Sequence, residues 1–168
     1  LPEESLAADL FTLTRAQTAE AGLPAYEISN HARAGSQSRH NLSYWRYGDY
    51  AGIGPGGHGR RHGTATLRHK KPENWLSAVK RNGHGISEEG ELTNAERAKE
   101  ALVMGLRLNE GISLSAITAK TGADCLIHQK KADMLKDQGL ILISEDRIAL
   151  TEQGFPLLDA ILAEIVAA

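Results

Sequence analysis

A histidine, a cluster of aromatic residues and a glycine-rich segment lie close together in the N-terminal half of this chain. His40 belongs to the run Arg39-His40-Asn41-Leu42-Ser43-Tyr44-Trp45, and in residues 52–59 five of eight residues are glycine. A neutral imidazole can ligate a metal such as haem iron, and aromatic faces can stack on a flat macrocycle. Arg39 or Arg60 could pair with carboxylates of such a ligand. A loop histidine that hydrogen-bonds to backbone is the alternative, and the residues alone leave both open.

The glycine-rich segment contains a pattern that also occurs in dinucleotide-binding loops. Gly52, Gly54 and Gly57 match G-x-G-x-x-G. Such a loop needs a helix that begins at the third glycine, so that its N-terminus faces a pyrophosphate. The residues after Gly57 have no helical periodicity. We therefore expect these glycines to let the backbone approach a bulky ligand, or to kink a strand at the rim of a barrel.

A second pair of histidines and the single cysteine are the other candidates for a metal site. His58 and His62 have the spacing of two ligands on one helical turn, but Gly59-Arg60-Arg61 between them is a poor helix and adds two cations, which disfavours zinc. The single cysteine, Cys125, excludes an intrachain disulfide and an all-cysteine metal site built from this segment alone. We expect Cys125 to be a small buried apolar residue.

The composition is that of a globular protein without a strong charge bias. The chain has 168 residues, of which 41% are hydrophobic, and a formal net charge of −2 at pH 7. Such a chain has no overall attraction to nucleic acid or anionic membranes, and no apolar run approaches the ~18 residues of a membrane span. We expect a cytoplasmic protein, since its lone cysteine suits a reducing compartment. The first residues, 1–5, lack an initiator methionine and a signal-peptide pattern, which predicts a start within a longer protein.

Hydrophobic periodicity predicts short elements in the first 80 residues. Ser5 is expected to cap a helix over 5–21 that Gly22 ends. The other predicted elements are strands over 25–29, 50–54 and 60–71 and a helix over 73–80. A helix, a tight turn and a strand in this order are typical of the last units of an α/β sheet or barrel.

A second unit begins after a glycine-rich and acidic segment, 81–92, which is typical of a linker. Thr93 and Glu96 form a capping box at the start of a helix. Further helices are predicted over 113–120 and 124–138, then a hairpin over 140–150 and a closing helix. Three helices, a hairpin and a helix are the winged-helix pattern. The third helix balances three lysines with three aspartates, which favours an interaction module over a DNA-binding one.

These segments resemble the C-terminal part of the oxygen-independent coproporphyrinogen III oxidase-like family of radical SAM proteins. The resemblance rests on Tyr26-Glu27-Ile28-Ser29-Asn30, on the His40 run, on Tyr50-x-Gly52-Ile53-Gly54-Pro55-Gly56-x-His58-Gly59 and on the winged-helix-like region, in family order. The His40 run is more similar to the haem-chaperone branch than to the oxidase branch. The fold that the resemblance implies is α+β. Residues 1–80 would end a radical SAM partial (β/α) barrel, 81–92 would be a linker, and 93–168 a winged-helix-like domain.

The resemblance also implies a function in haem metabolism. A haem chaperone would bind haem and transfer it to haem-accepting proteins, with His40 as the iron ligand and Asn41, Tyr44 and Trp45 beside it. The alternative is the anaerobic oxidative decarboxylation of coproporphyrinogen III to protoporphyrinogen IX, so the ligand is haem or a porphyrinogen. A winged-helix DNA-binding regulator ranks last.

The cofactors of a radical SAM protein are implied for the full-length parent. S-adenosylmethionine would lie near Gly52, Gly54, Gly57 and His58. The 4Fe–4S cluster would be held by a Cys-x-x-x-Cys-x-x-Cys loop, which this chain lacks. We therefore assign no catalytic residue here and do not expect the segment alone to be active.

Overall fold

The structure is a computed structural model that describes residues 3–124 and 127–166. Helices and two small antiparallel sheets make up a mixed α and β fold, as predicted at the level of fold class. Cys125 lies outside the described residues, so its burial stays a prediction. None of the helices in the described ranges is long and apolar enough to cross a bilayer.

The N-terminal part contains three helices and one three-stranded sheet. The elements are α1 (Glu4–Glu20), α2 (Arg39–Trp45), β1 (His58–Arg61), β2 (Thr64–Arg68), α3 (Pro72–Asn82) and β3 (Ile86–Glu91). The sheet has the order β1-β2-β3. α1 lies close to its predicted range, but Ser5 is inside the helix rather than its cap, and the N-cap residue Glu3 forms no side-chain capping hydrogen bond within the described residues.

The strand predicted over 60–71 is a hairpin instead. His62 and Gly63 both have positive φ, 51° and 81°, which is the conformation of a two-residue type I′ turn. β1 therefore folds back onto β2, with Gly59 opposite Thr66. Pro72 then begins α3 rather than only ending a strand, because a proline at the first helical position lacks an N–H that would go unpaired there anyway.

The segment 81–92, predicted to be a linker, contributes β3 to the same sheet. β3 pairs with β2 along Thr64–Leu67, and most of its side chains are exposed. A strand with little apolar surface forms here because its backbone completes the ladder at a sheet edge, where acidic side chains remain in water.

Two other predicted strands are reduced to isolated bridges. Residues 25–31 fold back on themselves, with bridges from Ala25 to His31 and from Glu27 to Leu108. In 50–54 one bridge joins Tyr50 to Arg60. The glycines after Tyr50 turn the chain away before a longer ladder can form.

The C-terminal part follows the predicted order more closely. Its elements are α4 (Asn94–Gly105), β4 (Ile112–Ser113), α5 (Leu114–Thr121), α6 (Gln129–Asp137), β5 (Ile141–Ile143), β6 (Arg147–Leu150), a short 3₁₀ helix (Phe155–Leu157) and α7 (Leu158–Ile165). The capping box of Thr93 and Glu96 is confirmed. β4 joins the hairpin in a sheet of order β4-β6-β5, and α6 begins later than predicted.

One core fills the space between these helices and the second sheet. Leu102, Ile117, Ile148, Ile161 and Ile165 are among its fully buried side chains. Fully burying one such side chain stabilises the fold by about 1.5–3 kcal/mol. Tyr47 belongs to the same core, and Phe11 and Ile28 pack against it, so N-terminal residues contribute to it as well.

The two parts are joined by Arg15 and Asn109. The Asn109 backbone N–H donates to the Tyr26 carbonyl at 3.1 Å, and its side-chain amide donates to the Ala25 carbonyl at 2.7 Å. The buried Arg15 guanidinium donates to Asn109 and to Glu152, and it lies over the Phe155 ring. These contacts fix the turn that carries the Tyr26 motif against the start of the C-terminal part.

Candidate functional site

The His40 run forms a short helix, although no helix is predicted there. Ser38 caps it, since its hydroxyl accepts a hydrogen bond from the Asn41 N–H at 3.2 Å. The helix ends at Trp45, and Tyr47 follows with a positive φ of 57°. Because His40 and Tyr44 are four residues apart, the helix places them on one face.

The aromatic cluster consists of His40, Tyr44, Trp45 and Tyr50. The His40 and Tyr44 rings meet edge to face with centroids 5.5 Å apart, and the Tyr44 ring lies 4.5 Å from Trp45 and 5.9 Å from Tyr50. Such edge-to-face pairs are worth about 0.5–1.5 kcal/mol each beyond the area they bury. Tyr44 therefore holds the imidazole side of α2 against the segment that leads into the glycines.

The His40 side chain is exposed and available to a ligand. Among the described histidines, ring-nitrogen hydrogen bonds are formed by His31 and His84, not by His40. The alternative of a loop histidine bound to backbone therefore does not describe His40. An exposed imidazole fixed by one aromatic edge has a nitrogen open to a metal ion.

The Tyr26 motif packs against α2 and orients it. The Asn41 side-chain amide donates to the Tyr26 hydroxyl at 3.2 Å. Glu27 is fully buried, and one of its carboxylate oxygens accepts from the Ser29 N–H at 3.1 Å. Burial, followed by the nearby Glu27 charge, raises the pKa of the Tyr44 phenol, so Tyr44 stays neutral. Asn41 thus has a positioning contact here.

Arg60 is not available to pair with a ligand carboxylate. Its guanidinium is buried, lies 3.5 Å from the centroid of the Tyr47 ring, and donates to Glu100 at 3.3 Å and to the Gly48 carbonyl at 3.1 Å. Tyr47 donates to the same Glu100 carboxylate at 2.9 Å. Burial and this hydrogen bond raise the pKa of the Tyr47 phenol well above its usual value. Arg60 is therefore a structural residue that ties Tyr47 to Glu100 of α4.

Gly52 and Gly57 lie where two backbone segments approach each other too closely for a side chain. A Cβ on Gly52 would lie 2.2 Å from the His58 carbonyl oxygen, and one on Gly57 would lie 3.0 Å from the Ile53 backbone. Gly54 has a φ of +81°, and a Cβ there would meet no atom of the described residues within 4 Å. The chain's own backbone therefore fills the space beside Gly52 and Gly57, whereas the Gly54 side of the turn is open.

His58 begins strand β1 directly after Gly57, which differs from the helix of a dinucleotide loop. His58 is exposed, and His62 lies in the hairpin turn, so the two histidines are not ligands on one helical face. Among residues 3–124 and 127–166, no group of three or more His, Cys, Asp or Glu side chains could hold a metal ion.

The structure thus separates the predicted site residues into two groups. The four predicted residues His40, Asn41, Tyr44 and Trp45 share α2, whereas Gly52, Gly54 and Gly57 belong to the turn before β1, and His58 is the first residue of β1. Tyr50 joins the two groups through its contact with Tyr44. The sequence interpretation missed the contribution of Tyr26 as a hydrogen-bond partner, because that contact depends on the folded turn.

Comparisons with known proteins find relatives that match almost the whole chain. Residues 92–157 match the HemN C-terminal domain. Bovine (Bos taurus) radical S-adenosyl methionine domain-containing protein 1, mitochondrial, is 33% identical over 177 residues, which cover 98% of this chain and 40% of that protein. The heme chaperone HemW of Bacillus subtilis (strain 168) is 33% identical over 156 residues, which cover 92% of this chain and 41% of that protein.

A solved structure has the same fold. Coproporphyrinogen III oxidase (HemN) from Escherichia coli, a radical SAM enzyme, matches with a TM-score of 0.69 and 18% identity over 97% of this chain and 41% of that chain. The chain spans about 40% of the length of the curated relatives that it matches. With its matched residues 92–157, the chain belongs to the HemN-like radical SAM proteins and includes their HemN C-terminal domain.

Proposed function

We propose that this chain supplies the haem-binding surface of a haem chaperone, with His40 as an axial ligand of the iron. The observation that carries the proposal is an exposed imidazole on α2, which contacts the Tyr44 ring and forms no ring hydrogen bond to any residue that the structure describes. The printed names of relatives such as the Bacillus subtilis and Haemophilus influenzae heme chaperones HemW support this choice.

The residues around His40 fit a haem that is held and then released. Asn41 anchors α2 to Tyr26, and Tyr44 limits the motion of the imidazole, so the ligand nitrogen is presented in a fixed direction. Haem iron supplies an open coordination position to an imidazole. Because α2 is at the surface and His40 is exposed, a haem-accepting protein can approach the bound ligand without unfolding the core.

The radical SAM cofactors concern the full-length protein rather than these residues alone. One cysteine cannot provide three cluster ligands, so this chain does not fit a 4Fe–4S cluster by itself. The open side of the turn at Gly54, together with His58, is where we propose that S-adenosylmethionine lies closest. In this proposal residues 1–80 end a partial barrel, and the C-terminal part is a winged-helix-like interaction module.

The alternatives are weaker on the same residues. A coproporphyrinogen III oxidase predicts anaerobic turnover of coproporphyrinogen III by the reconstituted full-length protein, and its likeness to HemN is one of fold. A DNA-binding role is disfavoured because Lys131 of α6 is paired with Glu164. A cytoplasmic location stays a prediction, and the names of several relatives include the word mitochondrial.

A haem titration of the full-length protein tests the proposal. His40→Ala is compared with the matched control His128→Ala, which removes an exposed histidine that forms no side-chain cap on α6. We expect wild type and His128→Ala to develop the same histidine-ligated Soret band, and His40→Ala to lose it. Equal spectra and affinities for all three proteins would refute the ligand assignment.

A further inference from the structure

A basic groove lies beside the face of α2 that carries His40. Arg39 and Ser43 of α2 and Arg46, the residue that caps its C-terminus, are four and three residues apart, so they lie on one side of the helix. Together with Leu42, Gly48 and Lys120 they line an open groove of about 350 Å³. Three of the six lining residues are cations, and none is a carboxylate.

Two of the three cations keep their charge without an ionic partner. Arg46 forms a bidentate pair with Glu110 at 2.8 and 3.0 Å, and this contact lowers the pKa of the Glu110 carboxyl. The Lys120 ammonium group donates one hydrogen bond to the Arg46 backbone carbonyl at 2.5 Å. This carbonyl is uncharged, so it does not neutralise the positive charge of Lys120. Within the described ranges, neither Arg39 nor Lys120 belongs to an ion pair. The groove therefore has a surplus positive charge that suits an anion.

The position of the groove relative to His40 indicates which anion. Arg39 directly precedes His40, and successive residues of an α-helix are offset by about 100° and 1.5 Å. The groove and the imidazole thus flank each other on one short helix. A porphyrin ligated at its centre by His40 would place its edge over an adjacent face of α2, where Arg39 and Lys120 lie.

We propose that this groove binds the propionate carboxylates of the haem whose iron His40 ligates. This inference rests on the proposed function and deepens it, because it gives the ligand an orientation. It also gives the HemN C-terminal domain a part in binding, since Lys120 and Glu110 lie within residues 92–157. Lys120 reaches the groove from the end of α5, so the ligand would contact both parts of the chain.

The test compares haem with haem dimethyl ester, which has the same iron and macrocycle but no carboxylates. Both are titrated into full-length wild type, Arg39→Gln, Lys120→Gln and the control Lys130→Gln, an exposed lysine of α6. We expect Arg39→Gln and Lys120→Gln each to weaken haem binding about tenfold, the effect of one lost charge-assisted hydrogen bond. The ester should bind wild type more weakly than haem and be insensitive to both substitutions. Lys120→Arg should retain most of the haem affinity.

Other outcomes separate this inference from the proposed function. Equal binding of haem and its ester to wild type, or unchanged haem affinity in both variants, would overturn the groove assignment while a His40-dependent spectrum still stood. Inorganic phosphate that binds through Lys120 without competing with haem would assign the groove to a free anion and also overturn it. If neither compound gives a His40-dependent spectrum, both proposals fail.

Discussion

Replacing Arg60 tests whether a buried cation holds Tyr47 and Glu100 together. Arg60→Met keeps the apolar length of the side chain but removes the guanidinium, which is only 5% exposed. The change deletes the stacking on Tyr47 at 3.5 Å and the hydrogen bonds to Glu100 and the Gly48 carbonyl. It leaves Tyr47 as the hydrogen-bond donor to Glu100.

The expected loss follows from these contacts. A desolvated cation–π contact contributes about 1–2 kcal/mol. A hydrogen bond from a charged donor contributes about 1.5–3 kcal/mol, but the Glu100 side chain is 41% exposed, so water screens that pair and we use the lower end. Together these give a decrease of about 3 kcal/mol in the free energy of unfolding.

Urea unfolding followed by circular dichroism measures this change. The control is Arg61→Met, which alters the neighbouring, exposed residue of β1 and is expected to change the free energy of unfolding by less than about 0.5 kcal/mol. If Arg60→Met unfolds at the same urea concentration as Arg61→Met, then Arg60 does not hold Tyr47 and Glu100 together. The assignment of Arg60 as a structural residue would then be wrong.

Two further substitutions test the close backbone approach at Gly52 and the ion pair between Arg46 and Glu110. Gly52→Ala places a Cβ 2.2 Å from the His58 carbonyl oxygen. We therefore expect this substitution to lower the free energy of unfolding by at least about 2 kcal/mol in the same urea assay. The control Gly90→Ala, whose Cβ would meet no atom of the described residues within 4 Å, should be nearly neutral. Equal midpoints would mean that the backbone does not cross closely at Gly52. The Glu110 pKa is lowered in the folded protein by Arg46, so the pair stabilises the fold above the unfolded carboxyl pKa of about 4.3, and this contribution is lost as the pH falls through the folded pKa. Wild type should therefore exceed Glu110→Gln in stability at pH 7 and lose that advantage in acid, as the pH falls through the folded pKa. An advantage that does not decrease with pH would contradict the ion pair.

Local patterns predicted the C-terminal part well because its determinants are close in sequence. The capping box of Thr93 and Glu96, the left-handed Gly122 after α5 and the two short apolar runs of the hairpin each act within a few residues. Because such interactions depend on neighbouring residues only, they can be predicted from the local sequence pattern. The domain boundary and the winged-helix-like assignment of 93–168 stay predictions.

The N-terminal part was harder to predict because tertiary contacts override local preference there. α2 contains Asn41, Ser43 and three ring-bearing side chains, which are weak helix formers, and its cap Ser38 lies among other polar residues. β3 has almost no buried side chains and exists through its pairing with β2. One signal was available for the hairpin, since a His-Gly dipeptide between alternating residues suits a type I′ turn.

In the candidate site, too, contacts between neighbours in sequence were predictable and contacts between distant residues were not. The four-residue spacing of His40 and Tyr44 could have suggested a shared helix face, had a helix been expected. By contrast, the burial of Arg60 against Glu100 and the approach of Lys120 to Arg46 join residues 40 and 74 positions apart. No local pattern encodes such contacts, so Arg60 looked available to a ligand and Lys120 did not.

The identity of the axial ligand tests the central claim most directly. Full-length His40→Met and the control His128→Met are loaded with haem, and the visible spectrum and the haem reduction potential are measured. Since the axial ligand sets both properties, we predict a changed Soret band and an altered potential in His40→Met, and wild-type values in His128→Met. A wild-type spectrum and potential in His40→Met would contradict His40 as the haem ligand.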